Sequence, residues 1–258
     1  MHVLSLPPSS SSSSPPGTLP PAVAASVWRG ADFGQPLQRT VPSGWRALDR
    51  ELPGQGWPCG ALTEVLGTQS AVLEWRLLGP ALARVCDEGG SVLLVGAPVP
   101  PFLPGLRLLG IDPRRLVWVR ARTPAERLWV VEQLLRAQGP GAILAWLPQA
   151  LPEQLRRLHA HAHGAQALLF ALRPQEARTQ ASPAPLRVQA APGDGWNLRV
   201  DVFKRRGPAQ SAPVCLRAVP GGLDGALPER LRTPAPVVET IDDLGRVVPA
   251  DAVSVAAA

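Results

Sequence analysis

Tyrosine is absent from the chain, methionine occurs once, and phenylalanine and tryptophan supply all the aromatic surface. The three cysteines, Cys59, Cys86 and Cys215, are odd in number, far apart and without a C-x-x-C pair. That argues against both a disulfide framework and a zinc site. No uninterrupted apolar run approaches the roughly 20 residues that a membrane helix needs, so no membrane partner is expected. The stretch from Met1 to Pro21 holds no Lys or Arg and no compact apolar core. It does not resemble a secretory signal, and the expected location is cytoplasmic.

What is present suits one sizeable soluble core. The 258 residues are 45% apolar, room for a single α/β domain with tails. The net charge of +6 comes from basic residues that are nearly all arginine. Such a balance suits a polyanionic partner, although a GC-rich genome encodes the same bias toward Ala, Arg, Pro, Gly and Leu. Direct contact with DNA is therefore left open.

Residues 1–25 carry Pro7-Pro8, six consecutive serines and Pro15-Pro16, too little apolar surface to offset ordering entropy. They are expected to form a disordered Pro/Ser-rich leader. Residues 208–258, rich in Pro, Gly and Ala, are expected to form a flexible C-terminal tail. Between them, residues 26–207 alternate short apolar runs with helical periods, the signature of a mostly parallel sheet flanked by helices.

The runs Ala61 to Leu66, Ser91 to Gly96, Leu116 to Val119, Ala142 to Leu147 and Gln166 to Leu172 read as buried strands. Leu186 to Ala190 and Trp196 to Phe203 read as an edge hairpin turning through Pro192-Gly193-Asp194-Gly195. That makes about seven strands. Helices are predicted over Glu74 to Cys86, stopped by Gly89-Gly90, from Pro124 behind the N-cap Thr123, and from Pro152.

The order of these segments resembles the RecA ATPase core. The stretch VPSGWRALDRELPGQGWPCGALTEVLG, Val41 to Gly67, is similar to the lead-in to that family's phosphate loop. Leu108 to Ala150 has the layout of its passage from third strand to Walker B strand. More narrowly, Trp57-Pro58-Cys59-Gly60-Ala61-Leu62-Thr63-Glu64 and Lys204-Arg205-Arg206-Gly207-Pro208 resemble the ImuA family, RecA-like accessory proteins of bacterial mutagenic repair. The expected fold class is therefore α/β with a RecA-like P-loop-type core and degenerate Walker motifs.

A working phosphate loop needs G-x-x-x-x-G-K-[ST], whose amides and lysine neutralise phosphate while the hydroxyl holds magnesium. Counted from Gly67, the corresponding positions hold Val72, Leu73 and Glu74. Ala145-Trp146-Leu147-Pro148 offers no Walker B acid, and Ala97-Pro98-Val99-Pro100 stands where RecA has its water-activating glutamate. No cofactor and no catalysis are expected. A lone glycine after a strand is also common in ordinary strand-turn-helix packing, which would account for Gly67 without any ancestry.

Other constellations point elsewhere. His159 and His163 share a helical face, but no Asp, Glu or Cys nearby completes a metal site, so a solvated helix end near the C-terminal dipole is expected. Lys204, Arg205 and Arg206 are candidate contacts to a partner or to phosphate. Trp118, Trp129 and Trp146 fall in core-like segments, whereas Trp28, Trp45 and Trp57 are candidates for a protein interface.

The resemblance implies partners rather than a reaction. They are ImuB, a Y-family polymerase-like protein, an error-prone DnaE-type polymerase and, as a further candidate, RecA itself. The function it implies is that of a non-catalytic accessory factor in SOS-induced translesion DNA synthesis. The alternative is a SulA-like inhibitor of cell division acting on FtsZ, another use of a RecA-like fold without an ATPase site.

Overall fold

A computed structural model describes residues 39–68, 73–137, 139, 141–219, 223 and 228, together with the short paired strands Glu239–Ile241 and Val247–Pro249. The expected leader, Trp28 and Val72 lie outside the described residues.

The chain enters through a two-residue strand β1 (Thr40–Val41) and a short helix α1 (Arg46–Asp49), and β1 pairs antiparallel with β2 (Trp57–Pro58). The main elements follow in alternation: β3 (Leu62–Gly67), α2 (Leu73–Asp87), β4 (Ser91–Val95), α3 (Leu103–Leu108), β5 (Leu116–Val119), α4 (Pro124–Arg136), β6 (Gly141–Trp146), α5 (Pro152–Ala162) and β7 (Leu168–Pro174). Strands β8 (Leu186–Pro192), β9 (Asn197–Lys204) and β10 (Val214–Arg217) complete one sheet of eight strands, ordered β10-β9-β8-β3-β7-β6-β4-β5. The six strands from β8 to β5 run parallel, and β9 and β10 close one edge as antiparallel additions.

The continuous apolar runs explain the parallel centre. Every residue of β6 is buried, as are all of β7 except Pro174 and all of β3 except Gly67. Strands covered on both faces lose the alternating pattern of a half-exposed sheet. One face carries α2, whose Leu73, Leu77, Leu78, Ala81, Leu82 and Val85 pack on Val65, Leu94, Leu144 and Phe170. The other carries α4 and α5, which turn Leu128, Val131, Leu135, Leu155 and Leu158 onto Leu62, Ile143 and Leu169.

Local chemistry sets the helix ends. Thr123 Oγ1 accepts from the Glu126 amide at 3.2 Å while Glu126 Oε2 accepts from the Thr123 amide at 3.2 Å, a reciprocal capping box in front of Pro124. At the end of α2, Gly90 donates its amide to Val85 O at 2.8 Å around Gly89 at φ +87°. That left-handed residue favours glycine and reverses the chain into β4.

Two expectations change. The boundary at residue 207/208 cuts through the sheet, because β10 pairs with β9 from Val214↔Val200 to Arg217↔Asn197 and buries Leu216 and Ala218. The tail thus supplies the outermost strand, and the β8–β9 hairpin is not the edge. The sheet has eight strands rather than about seven, since four residues with only one buried side chain give too short a period to read. Among the described residues no helix is long and apolar enough to cross a membrane.

Candidate functional site

Ligands of open α/β sheets collect beyond the carboxyl ends of the strands, and here that edge is formed by Gly67, Val95 and Trp146 at the ends of β3, β4 and β6. Gly67 is half-buried and leads through Thr68 toward α2. Leu73 and Glu74, the first residues of that helix, are both buried. A carboxylate in the first turn complements the positive end of the helix dipole, and Glu74 stands at that position. At the end of β6, Ala145, Trp146 and Leu147 are buried and none is acidic.

Two cavities flank Trp146. One, of about 290 Å³, lies between the start of α4 and the β6–α5 connection, lined by Arg122, Arg127, Gln149 and Gln154. Arg127 is fixed there by donating to Ala121 O at 3.2 Å and Trp146 O at 3.1 Å. The other is a larger apolar groove of about 450 Å³ between α2 and α3, lined by Trp75, Val99, Phe102, Leu106, Leu108 and Leu109 with Arg76 at its side. Phe102 is 73% exposed and Leu108 62% exposed. Large apolar side chains clustered in the open mark an interaction surface. Gly96 turns β4 into this surface at φ +66°, where a Cβ would come within 2.5 Å of Arg127 Nε.

The basic triplet sits at the other edge. Because β9 is antiparallel to β8, its last residue, Lys204, pairs with Arg187 beside Glu64, toward the amino ends of the parallel strands. Lys204 Nζ donates to Ser182 O at 2.7 Å, and burial together with the nearby Arg187 guanidinium holds its pKa below the ordinary lysine value. Arg205 pairs with Glu51 Oε2 at 2.7 Å and donates to the Glu51 carbonyl. Arg206 is exposed. The fold therefore separates Lys204, Arg205 and Arg206 from Gly67, Leu73 and Glu74.

Sequence reasoning missed a buried ionic cluster centred on Glu64. Its Oε2 accepts from Arg187 Nε at 3.1 Å and Arg173 Nη1 at 3.5 Å, and its Oε1 accepts from Ser182 Oγ. The surplus guanidinium hydrogens go to Ala150 O at 2.9 Å, Gln180 Oε1 at 2.7 Å and Ala177 O at 2.7 Å. Part of the signal was available: Glu64 and Arg187 each stand as the single charge inside a run read as a buried strand, and buried charges need partners.

The aromatic and histidine expectations are corrected in part. Trp57 is fully buried and meets Phe170 edge-on at 5.4 Å between centroids, and Trp45 donates Nε1 to Leu77 O at 2.9 Å. Both brace the lead-in against the core, Trp57 with no exposed surface to offer a partner and Trp45 half-buried. Trp129, expected inside, is 62% exposed on α4. His159 is half-buried and accepts the Leu62 amide on Nδ1 at 3.2 Å, tying α5 to the start of β3. His163 alone of the helical-face pair is solvated.

No sequence profile of a protein family matches the chain. Individual relatives do. The chain is 34% identical over 104 residues to the protein named ImuA in two strains of Caulobacter vibrioides, a match that covers 38% of this chain and 43% of each relative. The similarity thus spans about two-fifths of the curated ImuA proteins. The cell division inhibitor SulA of Edwardsiella piscicida is 25% identical over 119 residues, 46% of this chain and 70% of that protein.

Proposed function

We propose that this chain, partially homologous to ImuA, is a non-catalytic accessory factor of SOS-associated mutagenesis, built on a RecA-like core whose nucleotide site has degenerated. In this reading it acts in the cytoplasm through protein contacts, with ImuB and an error-prone DnaE-type polymerase as partners and RecA as a further one. The similarity to ImuA carries the reading. The buried Glu74 at the head of α2, the acid-free end of β6 and the exposed apolar groove support it, because they suit docking and oppose triphosphate.

The test is a deletion in the source bacterium. Loss of ultraviolet-induced mutation with normal growth is expected, and a deletion strain that mutates normally after irradiation would remove the reading. Calorimetry addresses the loop separately, since micromolar affinity for ATP would overturn its degenerate assignment.

The similarity to SulA supports a second function, inhibition of cell division through FtsZ, more weakly. Overexpression separates the two. Filamentous cells favour the division inhibitor, and cells of normal length favour the accessory factor.

A further inference from the structure

The groove between α2 and α3 presents Phe102 and Leu108 to solvent, yet one side chain from far along the chain already shares it. Leu223 lines the groove and retains 39% exposure. Its arrival is prepared by Arg76 at the groove's side. That guanidinium donates to Ala218 O at 2.9 Å and also to the carbonyls of Trp196 and Asn197. These bonds fix the exit of β10 beside α2. Leu223 lies five residues beyond Ala218, a reach of at most about 17 Å, so the anchored strand keeps this leucine close to the groove.

From this arrangement we infer that the groove is a docking site for a leucine side chain, occupied in cis by Leu223 of the C-terminal segment. Partial burial of one leucine favours the occupied state by about tenfold. Roughly one molecule in ten is then open, and the apparent affinity for a competing segment falls by the same factor. A contact this weak holds the groove without locking it. A leucine-bearing segment presented by another protein can therefore displace Leu223, and the cis contact sets the threshold for doing so.

The test uses the 258-residue chain and a fluorescein-labelled decapeptide of residues 219–228 as the probe, with binding followed by anisotropy. The decapeptide is expected to bind the Leu223→Glu chain about tenfold more tightly than the unsubstituted chain. Adding Leu108→Glu, at an exposed position on the groove, is expected to abolish that binding. A peptide with its central leucine replaced by aspartate should bind neither chain. Equal affinity for the unsubstituted and Leu223→Glu chains overturns the inference, as does absence of binding to the Leu223→Glu chain with an unchanged circular dichroism spectrum. If that variant unfolds, Leu223→Ala decides by the same comparison. The outcome is independent of the mutagenesis function, because it reads only the groove and its occupant.

Discussion

Glu64 and Arg187 face each other across the parallel ladder of β3 and β8, with Arg187 Nε 3.1 Å from Glu64 Oε2 and both side chains buried. Arg173 reaches the same carboxylate from β7 on the other side of β3. Two guanidiniums thus share one anion, and further donors reach the Ala150, Ala177 and Arg178 carbonyls and the Gln180 side chain. The cluster fastens β7 and β8 to the strand between them, β3.

Glu64→Gln is expected to destabilise the fold by about 3 to 5 kcal/mol, because it leaves two buried guanidiniums without a counter-charge. Urea unfolding checks this. A loss below 1 kcal/mol would show that the arginines are satisfied by carbonyls alone.

His159 links stability to pH. Burial first, and then repulsion from His163, Arg206 and Lys204, holds its pKa below the ordinary histidine value, and protonation of Nδ1 would break the bond from the Leu62 amide. Near pH 8 the ring is neutral in both folded and unfolded chains. As pH falls below about 6.5, the unfolded chain takes up the proton first. Stability is therefore lost from there down through the lower folded value and then levels off. The urea midpoint should decrease between pH 7.5 and pH 5, and His159→Gln should flatten that decrease.

The cap of α4 gives a local effect. Thr123→Ala should cost about 1 kcal/mol. The amides of Arg122 and Thr123 hold the Glu126 carboxyl below the usual glutamate range. A depressed carboxyl contributes fully above its unfolded value and loses the contribution as pH falls through the folded one. Glu126→Gln should thus match the parent in acid and be less stable at neutral pH. Thermal unfolding at pH 3 and pH 7 measures the difference.

Thiol chemistry should separate the cysteines. Burial pushes the Cys59 and Cys86 thiols up, whereas Cys215 is exposed on β10. Thiolate is the reactive form, so Ellman's reagent should titrate one thiol rapidly in the native chain and three in denaturant. Two fast thiols would place Cys59 or Cys86 in a looser core than the structure has.

The periodic signals determined most of the fold. Runs such as Ala142 to Leu147 are apolar at every position because both faces of a central parallel strand are covered, and Thr123-Pro124 with Glu126 encodes its own helix start through bonds within four residues. The absence of lysine and hydroxyl at Leu73 and Glu74 was likewise legible without coordinates. Long-range placement was not. Sequence alone left Glu64 and Arg187 in separate strands, Arg173 just beyond a third, and Trp57 as an interface candidate, although β3 lies between β7 and β8 and β2 packs on the core. Only the strand order decided that these three charges meet, that Lys204 stands at the edge opposite Gly67, and that Leu223 reaches the groove. Neighbours more than a hundred residues apart are chosen by how the whole sheet packs, and no local propensity records that choice.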